Sequence, residues 1–174
     1  MNLRNVILSG HSKVRTMEIV NWVGQAQIRF DELFNLFLNS EDLVIQRAAW
    51  PISYCVIDHP DLIKKYFKQL IAQLKKPGLH VAVRRNIVRL LQHIEIPSKY
   101  HGEIMDICFK FIATHDEAVA VKAFSITILQ KLSSRYPQIR QELELIIQER
   151  WDYETNAFKS RAGKLLNSNY TFKQ

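Results

Sequence analysis

Residues 116–132 read DEAVAVKAFSITILQKL. After the two acids, Ala118, Val119, Val121, Ala123, Phe124, Ile126, Ile128, Leu129 and Leu132 go almost all the way round a helix instead of keeping to one stripe. A helix of that kind must be contacted on several sides. Inside it stands Lys122, and a basic residue recurs outward from it at near-constant spacing. Arg15, Arg47, Arg85, Lys122 and Arg161 are separated by steps of 32, 38, 37 and 39 residues. Each is followed by a small or compact residue: Thr16, Ala48, Asn86, Ala123 and Ala162. A period of this length over five copies is the signature of stacked helical hairpins, none of which buries its apolar faces alone.

The breakers divide the chain into pairs of helices at about 2–23, 26–58, 60–94, 98–134 and 137–167. Lys76-Pro77-Gly78 is the clearest internal stop, and Pro97 marks another boundary. Ser12 and Ser40 are placed to cap the second helices of the first two pairs, and Ser98 and Asp116 both helices of the fourth. Pro60 and Pro137 fit first-turn positions, where a missing N–H is harmless. Pro51, inside a helix, removes the bond to the Arg47 carbonyl and is expected to kink it. The first helices of the pairs are amphipathic. In 61–75, Leu62, Ile63, Tyr66, Phe67, Leu70, Ile71 and Leu74 follow helical spacing, with Lys64, Lys65, Lys68 and Lys75 on the other face. In 138–151, Ile139, Leu143, Ile146, Ile147 and Trp151 are expected inward. Nothing alternates with period two, and Gly and Pro number only five each, so a sheet-rich fold is disfavoured. The pattern predicts an all-α protein, a single domain over 1–174 whose polar tail from Asn167 is loosely ordered.

The segments Val14-Arg15-Thr16, Gln46-Arg47-Ala48, Arg84-Arg85-Asn86, Val121-Lys122-Ala123 and Ser160-Arg161-Ala162 resemble the second-helix core of HEAT repeats. In that family a Val-Arg pair begins an apolar helix, often after an acid such as Asp116-Glu117 or Glu41-Asp42 here. The usual small-residue pair a turn after the Arg is missing, with Trp50-Pro51 and Val88-Arg89 in its place. The resemblance implies a right-handed solenoid of about five antiparallel helix pairs, with the second helices on the concave side.

A net charge of +7 attracts anionic surfaces. The five second-helix segments hold twelve Lys or Arg, and Glu18 is the only acid well inside one of them. The candidate contacts for an anionic macromolecule are Arg15, Arg47, Arg85, Arg89, Lys122, Arg161 and Lys164. Trp22, Trp50 and Tyr54 are candidate groove aromatics, since aromatic faces interleaved with cations hold single-stranded nucleic acid. Two roles stay open for the ladder: contact with an anion, and the structural rung that the repeated Arg often forms in HEAT repeats. The partner expected is an acidic protein or a nucleic acid. Two cysteines, Cys55 and Cys108, lie on apolar helical phases and form no disulfide framework. Cys55 and His59 share a helical face, but two ligands make no zinc site. The other histidines, His11 among them, are scattered near predicted turns. No phosphate loop or nucleophile elbow occurs, and neither a catalytic residue, a metal nor a cofactor is expected. The apolar runs are too short for a membrane span, and the start lacks a signal-peptide core. The reading is a cytoplasmic, non-enzymatic scaffold with a basic concave face. The alternative is a HEAT-like DNA glycosylase acting on alkylated bases, whose groove aromatics and acid Trp50, Tyr54 and Asp58 resemble by their spacing.

Overall fold

A computed structural model describes residues 1–167. The α-helices are α1 Leu3–Leu8, α2 Lys13–Val23, α3 Gln27–Asn39, α4 Asp42–Asp58, α5 Phe67–Leu74, α6 Val81–Leu91, α7 His101–Ala113, α8 Val119–Ser133, α9 Gln138–Arg150 and α10 Asn156–Asn167. Short 3-10 turns occupy Pro60–Tyr66, Ser98–Tyr100 and Trp151–Tyr153. Among the described residues there is no strand. Asn167 ends α10, and the rest of the polar tail, 168–174, lies outside the described residues.

The chain clusters into two compact units, Met1–Ile94 and the remainder from Glu95. In the first, α4 packs on both α2 and α6, and also on α1 and α3. Its buried side chains show why: Val44, Ala48, Ala49, Ile52, Ser53, Cys55 and Val56 leave little of the helix polar. Phe30, Phe34 and Phe37 of α3 are fully buried, and the Tyr66 ring stacks 4.4 Å from Phe34. The same tyrosine donates to Asp31 Oδ1 at 2.9 Å while Lys65 reaches Asp31 Oδ2 at 2.6 Å, tying α3 to the turn before α5. In the second unit α8 packs on α7, α9 and α10, and α7 also meets α9. His101 is buried there, with Nε2 2.7 Å from the Ile96 carbonyl and Nδ1 3.0 Å from the Tyr136 hydroxyl.

Caps and breakers agree with the sequence in some places only. Ser12 Oγ accepts the Arg15 N–H at 3.2 Å, and Gly78 takes the left-handed φ of 69° that ends the 76–78 stop. Pro60 starts its 3-10 turn as expected. Ser40 instead closes α3, and α4 begins after Glu41 without a side-chain cap. Ser98 lies in the 3-10 turn before α7. Asp116 is likewise displaced: the chain uses residues 114–118 to reverse, so α8 starts after Ala118, whose N–H meets Glu117 Oε1. Pro137 is the N-cap of α9 and not its first residue. α4 remains helical through Pro51 for 17 residues, with the proline itself buried.

Two burial expectations change. Phe124, Ile146, Trp151 and Tyr66 are only half-buried, whereas Lys122 is inside. The apolar circumference of α8 is therefore interrupted at Phe124 and closed by the stem of a lysine. Phe34→Ala should lower stability by about 3–5 kcal/mol, since a fully buried ring leaves a cavity. Phe124→Ala should lower it by only about 1 kcal/mol, in keeping with its partial burial. Urea denaturation of the two variants checks this, and equal losses would contradict the burial pattern.

Candidate functional site

The repeated basic residues occupy corresponding places in sequence but sit in quite different surroundings. In the second unit Lys122 begins α8 with its side chain 2% exposed. Its Nζ donates to the His115 carbonyl at 2.9 Å and to Glu154 Oε1 at 2.6 Å. Arg150, at the end of α9, completes the cluster: Nε and Nη2 lie 2.8 and 2.7 Å from the same carboxylate oxygen, and Nη1 reaches the Ala113 carbonyl at 3.0 Å. Burial alone would push the Glu154 carboxyl up, but the bonds from Lys122 and Arg150 reverse this and hold it below its ordinary value. The three side chains join α8, α9 and the turn before α10. Lys122 is thus removed from any surface that a macromolecule could touch. Arg161 is half-buried and donates to Thr127 Oγ1 at 3.0 Å. Lys164 is exposed on α10.

The first unit keeps its charge outside. Arg15 pairs with Glu18 at 2.8 Å, both about half exposed. Arg47 is half-buried, and its Nη1 donates to the Leu8 and Ile7 carbonyls at 2.9 and 3.3 Å, closing the end of α1. Arg85 is exposed and has no side-chain partner among the described residues. Arg89 lies with its guanidinium 4.2 Å over the Tyr54 ring, and its Nη1 is 3.3 Å from Ser53 Oγ. This guanidinium, helped by Lys13 of α2, holds the Tyr54 phenol below its ordinary pKa against the opposing effect of burial.

His11, in the loop between α1 and α2, leans on Trp50 with ring centroids 5.1 Å apart and planes tilted 48°. Burial lowers its pKa, and the charges of Arg47 and Arg85 lower it further, so it is neutral at pH 7. The candidates Arg47, Arg85, Arg89, Trp50 and Tyr54 therefore come together on α4 and α6, joined by His11 and Lys13. Trp22 is held elsewhere: Arg29 sits 5.4 Å over its ring and donates to its carbonyl. His11 was passed over in the sequence because it stands in a turn without acidic or thiol neighbours.

Asp58 ends α4, exposed, in an open hollow of about 400 Å³ shared with Gln25, His59, Pro60, Asp61 and Leu62. Neither Trp50 nor Tyr54 lines that hollow. Cys55 and Cys108 are buried and pushed up to about 12 by burial, so both are protonated thiols at neutral pH. Among the described residues no three His, Cys, Asp or Glu gather to hold a metal ion. No helix among them is long and apolar enough to cross a membrane.

The sequence profile described as HEAT repeat domain matches residues 3–167. No curated protein and no solved structure matches the chain.

The Lys122–Glu154–Arg150 cluster has a pH signature. The Glu154 pKa is lower folded than unfolded, so its contribution to stability is complete above the ordinary glutamate value of 4.5 and is lost as pH falls through the folded value. Glu154→Gln should remove that acid-side component. At pH 7 it should also lower stability by about 3–5 kcal/mol, because the buried Lys122 ammonium and the half-buried Arg150 guanidinium lose their anion. Denaturation midpoints of parent and variant between neutral and acid pH read both effects, and parallel curves would refute the assignment.

Proposed function

The chain belongs to the HEAT repeat family, and on that premise we propose that it is a non-enzymatic binding module that engages an anionic macromolecule. The face is that of the second helices of the first unit, where Lys13, Arg85 and Arg89 stand with Trp50, Tyr54 and His11. HEAT repeats mediate macromolecular contacts, so a scaffold or binding role follows from the family; the basic face and the anionic partner are our reading. The observation that carries it is Arg85. It is exposed on a helix that is otherwise well packed, and no described side chain neutralises it. Three acids of the first unit have cations of their own: Glu18 has Arg15, Glu41 has Arg4 and Asp31 has Lys65. A cation without an acidic partner, acting with Arg47 on the same imidazole, is better explained by an external anion than by fold stability. Arg161 and Lys164 of the second unit are assigned no part in this face.

An enzymatic role draws less support. A carboxylate that works on a flipped base needs a dry pocket beside the ring that holds the base. Asp58 is exposed and opens onto a hollow without either aromatic. We also place the protein in a reducing compartment such as the cytoplasm, in keeping with two buried free thiols.

The test is a polyanion titration over a salt series. Binding should weaken steeply as salt rises, and Arg85→Ala should reduce the logarithmic salt slope by about one. Lys68→Ala, at an exposed position on α5, should leave both affinity and slope unchanged. Equal effects of the two substitutions would mean that charge in general, and not this face, attracts the ligand.

A further inference from the structure

Charge alone accepts any polyanion, and the groups set between the charges decide which one fits. Arg47 stands one turn before Trp50 on α4, and the Leu8 and Ile7 carbonyls anchor its guanidinium where α1 gives way to the loop that carries His11. Across from it α6 presents Arg85, exposed, and both guanidinium groups act on His11. The imidazole in turn rests against the Trp50 ring. One turn further along, Lys13 of α2 and Arg89 of α6 converge on Tyr54. Two groupings therefore follow one another along α4: Arg47 and Arg85 about the imidazole that rests on Trp50, and Lys13 and Arg89 about Tyr54. Resting on the polyanion reading above, we propose that His11, Arg47 and Arg85 seat one phosphate of a single-stranded nucleic acid. A base lies against Trp50, and Lys13 and Arg89 receive the next phosphate.

The chemistry separates this partner from the others. Like charges gathered without a counterion repel one another, and a tetrahedral oxyanion with two free oxygens relieves two guanidinium groups at once. A glutamate-rich segment would satisfy the charges but leave the rings idle. In a duplex the bases are stacked on each other and cannot reach an indole. Only an unpaired strand brings an anion and an aromatic plane at every step. The bound phosphate also changes the setting of His11, which Arg47 faces from α4 and Arg85 from α6, with Lys13 and Arg15 next to it on α2. An anion among these cations raises the imidazole pKa, so binding takes up a proton and tightens as pH falls.

The experiment compares the full-length protein with a short oligothymidylate, the matching duplex and a polyglutamate peptide at low salt. Oligothymidylate should bind most tightly and quench tryptophan fluorescence. His11→Gln and Arg85→Ala, both at exposed positions, should each weaken it about tenfold. His11→Gln should also abolish the gain in affinity at lower pH, and Trp50→Phe should retain binding while losing the quench. If polyglutamate binds through Arg85 and oligothymidylate does not, the nucleic-acid inference is overturned and the anionic-partner reading stands. Duplex binding as tight as single-strand binding would overturn the stacking arrangement and with it the inference. If no probe binds, both readings fall.

Discussion

Helices that are apolar on more than one side cannot exist in water by themselves, and this single constraint organises the protein. α4 and α8 meet it in the same way, each covered by its own partner and by neighbouring helices. In α4 the cover leaves Ala48, Ala49 and Ser53 buried at close approach, and even Pro51 is kept helical. The favourable term is the removal of apolar surface from water, which here comes from contacts within pairs and between them. Polar links also join the pairs, between residues far apart in the chain. Tyr66 and Lys65 on Asp31, and Gln73 on the Phe37 carbonyl at 3.2 Å, fix how one pair meets the next in the first unit.

The basic ladder shows how one recurring position can serve different ends in such an array. At Lys122 the neighbours close over the side chain, and a buried ammonium is tolerable only because Glu154 and the His115 carbonyl lie within hydrogen-bond reach. At Arg47 the guanidinium closes the end of a short helix whose last carbonyls have no helical donor. At Arg85 no such demand exists and the charge faces solvent. The ladder is therefore a feature of the repeat, while surplus charge belongs to one stretch of it.

The fold was largely legible because its signals are local or periodic. The breaks at Lys76-Pro77-Gly78 and Pro97 and the nearly uniform apolarity of 118–132 each act over one or two turns and appear in the helices observed, whereas the amphipathic run 61–75 divides into the 3-10 turn Pro60–Tyr66 and α5. The caps were less legible. Ser40, Ser98 and Asp116 are good capping residues, but how many residues a chain needs to turn back onto its partner is set by the packing of the pair. The candidate face was legible in part: Arg47, Trp50, Tyr54, Arg85 and Arg89 share helical spacing, so two helices already suggested it. His11 was not, since a loop has no period to read.

By itself the sequence determined an all-α HEAT repeat, where its helices start and stop within a few residues, and a positive balance concentrated in the second helices. These depend on propensity, breakers and hydrophobic period, which every residue carries with it. Only the tertiary structure decided which of the equivalent cations are sealed and which are free. Burial and partnership arise between residues far apart in the chain: Glu154 comes 32 positions later to Lys122, and Trp50 is brought to His11 from another pair of helices.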